Sequence, residues 1–181
     1  MGELMNLDHI AVLVDDIEDS LRSWRLPEPG EIETFEAEGT RELYCGSDSA
    51  WARVLLMQAI GPGPYARARA KRGVGLHHLA ICVDDVVAFA SRLEGTGWLL
   101  HPRSLEFYTQ RAPIWLCRPG FPCLIEVLES QAPGGDPIVS SVELAVPDEL
   151  APMIAALDCP VLRRAPGEKH VLVIGDERIE L

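Results

Sequence analysis

The sequence predicts an α+β protein built from tandem βαβββ modules, two full copies followed by a shortened third. The main observation is a repeat, since Leu7–Asp16 (LDHIAVLVDD) returns as Leu76–Asp85 (LHHLAICVDD) with six of the ten positions identical. A second observation is that each copy alternates along a strand and then offers two aspartates where a helix can begin. Repetition of a whole supersecondary unit indicates a duplicated architecture. Each copy also places a histidine at the same point of its first strand, His9 and His78.

The first module is predicted over residues 1–62. After its first strand, Asp15 and Asp16 place acidic groups at the positive end of a helix dipole. Apolar residues continue that helix at helical spacing, namely Ile17, Leu21 and Trp24. Proline and glycine end it, and strand-like segments follow near residues 31–35, 41–45 and 53–60.

The second module, residues 76–130, repeats this plan. Its helix is expected from Asp84 to Leu93. Strand-like segments follow near residues 98–101, 113–117 and 123–128. Residues 63–75 form a connector that carries the one basic cluster of the chain, Arg67, Arg69, Lys71 and Arg72. This cluster is either a solvated linker or an attraction for an anionic small substrate.

A shortened third module is predicted over residues 138–181. Val142–Val146 alternates, Pro147 and Asp148 open a helix, and strand-like segments follow near residues 171–174 and 178–181. This copy has Ser141 where the other two have histidine. A third unit needs a cover for its sheet, so we expect a homodimer in which the third units cap one another. The alternative is that the third unit packs on the side of the first two.

Composition excludes several classes of protein. A net charge of −12 is poor for binding nucleic acid, which needs a basic face. No apolar run is long enough to span a membrane, and the N-terminal segment shows no secretory signal pattern. The five cysteines form no CxxC pair, which indicates reduced thiols and a cytoplasmic location.

The last strand of the second module carries a carboxylate between aliphatic residues, Glu126 in LIEVL. Its partner is either an arginine or a cation shared with His9 and His78, because a carboxylate is rarely buried alone. Two histidines and one carboxylate make a divalent metal site with open positions. The matching position of the first module is Leu55, which cannot coordinate a metal. Parity places His77 on the opposite face from His78.

These modules resemble the vicinal oxygen chelate superfamily through a first-strand [DH]-H-[IL]-A motif and a last-strand [IL]-E-[LV] motif. That superfamily includes glyoxalase I, extradiol dioxygenases, fosfomycin and bleomycin resistance proteins, and methylmalonyl-CoA epimerase. The resemblance covers about residues 6–130. Within it, the segment 71–80 (KRGVGLHHLA) is similar to the epimerase pattern K-R-G-x-G-[IL]-H-H-[IL]-A, preceded by a short helical connector.

The resemblance implies that His9, His78 and Glu126 are metal ligands, with Leu55 standing where these enzymes often have glutamine or glutamate. The epimerases place a base glutamate two residues before a glycine. In this sequence that register gives Ala37, which is flanked by Glu36 and Glu38. These two glutamates are the candidate bases, with Glu126 as a further candidate.

The resulting hypothesis is a divalent-metal-dependent enzyme of glyoxalase or epimerase type. It would transfer a proton α to a carbonyl through a metal-stabilised enolate, on a small anionic substrate such as an acyl-CoA thioester. The metal would be zinc, cobalt, nickel, manganese or iron. One alternative is an extradiol-type dioxygenase, which the three-ligand site favours. The other is a non-catalytic protein of resistance type that binds a small molecule between its modules.

Overall fold

The computed structural model describes residues 5–27, 29–105, 113–130 and 134–181. The first module contains five elements: β1 (Asn6–Val14), α1 (Ile17–Trp24), β2 (Glu33–Phe35), β3 (Thr40–Cys45) and β4 (Arg53–Ala59). Helix α1 begins after Asp16, whose carboxylate accepts a hydrogen bond from the backbone N–H of Asp19 at 2.8 Å. The aspartates of the repeat therefore serve as helix caps, as predicted.

The connector and second module follow the same plan. The connector contains α2 (Pro64–Arg72), and the module consists of β5 (Gly75–Val83), α3 (Val86–Arg92), β6 (Leu99–Leu100), β7 (Ile114–Cys117) and β8 (Leu124–Glu129). Asp85 caps α3 by accepting from the backbone N–H of Ala88 at 2.8 Å. The two copies of the repeat thus share their helix start as well as their strand.

Both modules form one eight-stranded sheet in the order β2-β3-β4-β1-β5-β8-β7-β6. Within each module the first strand is parallel to the last, β1 to β4 and β5 to β8. The modules join through antiparallel pairing of β1 with β5 at the centre. This join brings the two repeated strands, and with them the two histidines, side by side. The predicted α+β class with paired βαβββ modules is confirmed.

The third unit forms a separate four-stranded sheet. Its elements are β9 (Ser141–Ala145), α4 (Ala151–Ala156), β10 (Leu162–Ala165), β11 (Val171–Ile174) and β12 (Glu177–Glu180), and the strand order is β10-β9-β11-β12. Strand β10 is absent from the sequence prediction. It lies parallel to β9, immediately after the helical crossover, whereas in the first two modules the parallel partner is the last strand. The third unit therefore has the element order of a module and a different strand order.

The third unit shares its core with the main sheet. Its fully buried residues, such as Leu144 and Leu172, belong to the same apolar cluster as Ile10 and Ile81 of the central strands. The indole N–H of Trp98 also donates to the backbone carbonyl of Met153 at 3.0 Å, which ties the second module to α4. The sheet of the third unit is thus covered by the first two modules of the same chain, so it does not need a second copy to cover it. The homodimer stays a prediction, but this need no longer supports it.

All five cysteines are free thiols. None of the described helices is long and apolar enough to cross a membrane. Residues 106–112, between the predicted strands near 98–101 and 113–117, and residues 131–133, between the second and third predicted modules, lie outside the described ranges.

Candidate metal centre

The structure brings His9, His78 and Glu126 together on one face of the eight-stranded sheet. They lie on β1, β5 and β8, and their nearest ligand atoms are all within 4.8 Å of one another. Nε2 of His9 is 3.1 Å from Nε2 of His78, and Oε2 of Glu126 lies 3.8 Å and 3.6 Å from these two nitrogens. The histidines are only 5% and 4% exposed.

This arrangement has the donor atoms and spacing that a divalent cation requires. Two ligands held about 2.1 Å from one ion lie roughly 3.0–3.4 Å apart in tetrahedral or octahedral geometry. The separation of the two Nε2 atoms, 3.1 Å, falls in that range. The carboxylate oxygen is close enough to complete the set after a small side-chain shift. Two imidazoles and one carboxylate suit zinc and the first-row transition metals, with open positions for a substrate.

Each of these histidines has a polar neighbour at its other ring nitrogen. Nδ1 of His9 lies 2.7 Å from Oδ2 of Asp8, and Nδ1 of His78 lies 2.9 Å from Nδ1 of His77. Both neighbours directly precede their histidine and occupy the same position of the repeat. Hydrogen bonds of this kind set the tautomer and orientation of metal-binding histidines.

The position of His77 corrects the parity argument, which placed its side chain on the opposite face from His78. The pairing of β1 with β5 passes from Ala11↔His78 to Val12↔Leu76, so His77 is left out of the ladder. A second irregularity of this pairing, between Leu7 and His9, leaves out Asp8. An unpaired residue in a strand interrupts the alternation of faces. Both side chains can therefore contact the histidine that follows them.

Burial disfavours the charged forms of two triad residues, His78 and Glu126. Burial lowers the pKa of His78, with the nearby His9 and His77 adding to the shift. Burial likewise raises the pKa of Glu126. Asp8 behaves differently: burial would raise its pKa, but its hydrogen bond to His9 and the nearby positive charge of Arg53 outweigh burial and lower it. Asp8 is thus the group around the triad that is held as an anion.

Leu55 occupies the position structurally equivalent to Glu126. Ala11 pairs with Leu55 across β1 and β4, just as Ala80 pairs with Glu126 across β5 and β8. Leu55 is 4% exposed and packs in an apolar cluster with Ala11, Leu13 and Met57. The triad therefore has an apolar wall on the side of the first module.

Two aromatic rings flank the triad on opposite sides. The ring centroid of Tyr44 lies 5.4 Å from that of His9, and the centroid of Trp115 lies 5.0 Å from that of His78, both edge to face. These rings are equivalents in the two modules, since Tyr44 pairs with Leu55 and Trp115 with Glu126. Arg53 stacks on Tyr44 at 4.5 Å from its centroid.

A cavity of about 580 Å³ lies beside the triad. Its lining includes Trp115 and His77, together with Glu38, Tyr65, Arg67, His101 and Arg103. Burial, reinforced by the negative charges of Glu42 and Glu38, raises the pKa of Tyr65. One arginine of the basic connector cluster therefore reaches the cavity, while Arg69 forms an ion pair with Asp15 elsewhere.

The structure separates the two glutamates proposed as bases. Glu38 lines the cavity, whereas Glu36 is an exposed residue of the turn between β2 and β3 and does not line it. Sequence analysis missed a third carboxylate, Glu42, which lies on β3 two residues from Tyr44 and therefore on the same face. Burial, reinforced by the negative charge of Glu38, raises the pKa of Glu42 to about 6.

Glu42 could have been found from the sequence, whereas Arg53 could not. Alternation along the segment 41–45 sets Glu42 and Tyr44 apart from Leu43 and Cys45, two apolar core residues. Because a strand buried on one side exposes alternate residues on the other, this pattern marks Glu42 as facing the site. Arg53 pairs directly with His9 across β1 and β4. That proximity depends on parallel pairing of strands far apart in the sequence, which local pattern does not indicate.

Comparison with known proteins gives one family and a common fold. Residues 8–112 match the family model described as the glyoxalase/bleomycin resistance protein/dioxygenase superfamily. Among solved structures, the chain is similar to a hypothetical protein from Bacillus halodurans C-125, with 20% identity and a TM-score of 0.54, over 74% of this chain and 99% of that one. It is also similar to a methylmalonyl-CoA epimerase, with 21% identity and a TM-score of 0.50, over 70% and 97% of the two chains. At these identities the likeness shows the fold. No curated protein matches the sequence.

Proposed function

This chain belongs to the glyoxalase/bleomycin resistance protein/dioxygenase superfamily, and from that premise we propose that it is a divalent-metal-dependent enzyme that transfers a proton α to a substrate carbonyl, as glyoxalases and epimerases do. The observation that carries the proposal is the buried triad of His9, His78 and Glu126 beside a cavity lined by both charged and aromatic residues. A metal centre next to carboxylates that can accept a proton is the arrangement such chemistry needs.

His9, His78 and Glu126 would hold the cation. When bound, the cation would supply Lewis-acid polarisation of a substrate carbonyl oxygen. Asp8 and His77 would keep the two imidazoles oriented toward it, since each lies within hydrogen-bond distance of a ligand histidine. Trp115 and Tyr44 would exclude water from the two sides of the site.

Two carboxylates are the candidate bases. Glu38 lines the cavity together with Tyr65. Glu42 lies on the sheet face that carries the triad, and a pKa near 6 suits a base that must exchange protons close to neutral pH. Glu126 is a weaker candidate because its carboxylate already belongs to the ligand set. Glu36 has no contact with the cavity among the described residues.

The cavity favours a small anionic substrate. Arg67 and Arg103 line it. An acidic protein with a net charge of −12 needs such local positive groups to attract an anion. Acyl-CoA thioesters with a stereocentre α to the carbonyl are the first substrates to test, because structural relatives include a methylmalonyl-CoA epimerase.

The test is exchange of the α-proton with solvent deuterium, followed by proton NMR. The purified protein is loaded in turn with zinc, cobalt, nickel, manganese or ferrous iron and given a panel of racemic 2-substituted acyl-CoA thioesters and a hemithioacetal. We expect exchange with at least one pair of metal and substrate. It should be lost in the double variant His9→Ala/His78→Ala. Metal binding without exchange on any member of the panel would refute the proposed reaction.

The base is identified by three glutamine variants. We expect Glu38→Gln or Glu42→Gln to slow exchange by roughly 10²–10⁴-fold, the usual contribution of a positioned base. Glu36→Gln is the matched control, since it makes the same change of charge at an exposed turn. Equal rates in all three variants would refute both assignments and leave Glu126 as the base.

One observation favours a second candidate function, an extradiol-type dioxygenase. With Leu55 in the fourth position, the site offers two histidines and one glutamate, the ligand set of many non-haem iron oxygenases. Oxygen uptake by the ferrous protein with a catechol, in the absence of α-proton exchange, would support this function over the first. Binding of small molecules without either reaction would instead indicate a resistance-type binding protein.

A further inference from the structure

The residues that precede the two ligand histidines occupy equivalent places but differ in chemistry. Asp8 and His77 are both left out of the β1–β5 ladder, and each contacts Nδ1 of the next residue. The carboxylate of Asp8 can only accept a hydrogen bond. The imidazole of His77 has a second nitrogen, and its ring lines the cavity of about 580 Å³.

We propose that His77 links the metal centre to ligand binding, by accepting a hydrogen bond from His78 at Nδ1 and thereby presenting Nε2–H to an anionic oxygen of a ligand in the cavity. This inference rests on the proposed function, because it assumes a cation on Nε2 of His78. It assigns His77 two duties: it positions one metal ligand, and it selects ligands that carry a carboxylate or phosphate group.

The tautomers follow from the geometry. A cation on Nε2 of His78 leaves the proton of that neutral ring on Nδ1, which must then donate. The nearest acceptor is Nδ1 of His77 at 2.9 Å. A neutral His77 that accepts at Nδ1 carries its own proton on Nε2. Binding of the cation therefore selects a single tautomer of His77, with its donor on the nitrogen away from His78.

The surroundings of His77 indicate what that donor meets. Its ring lies 5.2 Å from the ring of Tyr65, and both line the cavity. Within the described ranges, no group is hydrogen-bonded to Nε2 of His77, so this N–H is available to a ligand. Arg67 and Arg103 line the same cavity. An N–H donor in a cavity that also carries two guanidinium groups suits an anionic oxygen, because charge-assisted hydrogen bonds are stronger than neutral ones.

On the first module the chain of contacts ends at an anion. Asp8 accepts from Nδ1 of His9, and Arg53 lies 4.0 Å from the same carboxylate oxygen. Sγ of Cys82 also lies 3.7 Å from Asp8. Asp8 therefore contacts three protein groups, and it does not line the cavity. The two halves of the pseudo-symmetric centre thus differ in role. Asp8 orients a metal ligand, whereas His77 orients a metal ligand and also contacts the molecule bound in the cavity.

The first experiment is nitrogen-15 NMR of protein labelled at histidine, with and without zinc. In the zinc-loaded protein we expect His77 as the tautomer protonated only at Nε2, and His78 as the tautomer protonated at Nδ1. On addition of inorganic phosphate, the Nε2 proton of His77 should shift. A zinc-loaded protein in which His77 carries its proton on Nδ1 would overturn the inference.

Two variants separate the duties of His77. The amide oxygen of His77→Asn takes the place of Nδ1, whereas the amide of His77→Gln reaches the place of Nε2. We expect His77→Asn to bind zinc within about threefold of the wild type but phosphate at least about tenfold more weakly. We expect His77→Gln to lose roughly 10–100-fold in zinc affinity, the usual effect of removing a partner of a metal-binding histidine. Competition with a chelator measures zinc, and calorimetry of the zinc-loaded proteins measures phosphate.

The possible failures are distinguishable. If the wild type binds no zinc, the metal centre of the proposed function fails and the inference fails with it. If the wild type binds zinc while both variants lose zinc affinity equally, or neither does, the inference is overturned and the metal centre stands. If phosphate binding is the same in the wild type and in His77→Asn, the role of His77 in ligand recognition is refuted.

Discussion

Ionisation of Glu42 should make this protein less stable as pH rises, and Glu42→Gln should abolish that dependence. The pKa of Glu42 rises from 4.5 to about 6 on folding, chiefly because the carboxyl is partly buried on the sheet face near Glu38. The folded state therefore prefers the protonated acid. The stability that this preference contributes is fully present below pH 4.5 and is lost as pH rises through 6.

The magnitude follows from the difference between the two pKa values. A rise from 4.5 to about 6 corresponds to about 2 kcal/mol of unfolding free energy. Water reaches part of this side chain and screens it, so we expect about 1 kcal/mol. Relative to the wild type, Glu42→Gln should gain that amount between pH 4 and pH 7.5, since glutamine cannot ionise.

The assay is urea unfolding of the wild type and Glu42→Gln at several values of pH across this range. Comparing the two proteins cancels the titration of the other groups. Glu36→Gln is the matched control, because it removes the same charge from an exposed turn, and its difference from the wild type should not follow the same curve. A difference between Glu42→Gln and the wild type that stays constant with pH would refute the reasoning.

Two further predictions concern the wall of the site and the third unit. Leu55→Gln places an amide at the position equivalent to Glu126, among apolar side chains. We expect it to destabilise the metal-free protein by about 1–3 kcal/mol and to tighten zinc binding. Unfolding with and without zinc measures both effects, and an unchanged zinc affinity would contradict the prediction. Leu172→Ala, in the core that the third unit shares with the main sheet, should lower the free energy of unfolding by about 2–5 kcal/mol and preserve a single unfolding transition in calorimetry. The control Leu99→Ala, at an exposed position, should change the free energy of unfolding little. A separate transition for residues 138–181 in Leu172→Ala would show that the third unit folds independently.

Much of the fold could be predicted because its signals are local. The repeat around His9 and His78 carries its own strand pattern and its own helix cap, and both copies fold as that pattern indicates. Glu126 follows from the same reasoning, since a carboxylate in an aliphatic strand requires a partner. The strand near residues 162–165 lacks such a signal, because its two central residues are arginines and its pairing with β9 follows from the crossover through α4.

The same distinction between local signals and long-range pairing applies to the candidate site. The sequence by itself determined that two histidines share one position, because duplication of a strand duplicates the position of its histidine, and the family resemblance predicted Glu126 as their partner. Only the tertiary structure decided the contacts of Asp8 and His77, since their side chains depart from alternation at irregularities in the pairing of β1 with β5. It also decided that Glu38 borders the cavity and Glu36 does not. The physical reason is that a strand sets the face of each residue locally, whereas the register between strands depends on residues far apart in the chain.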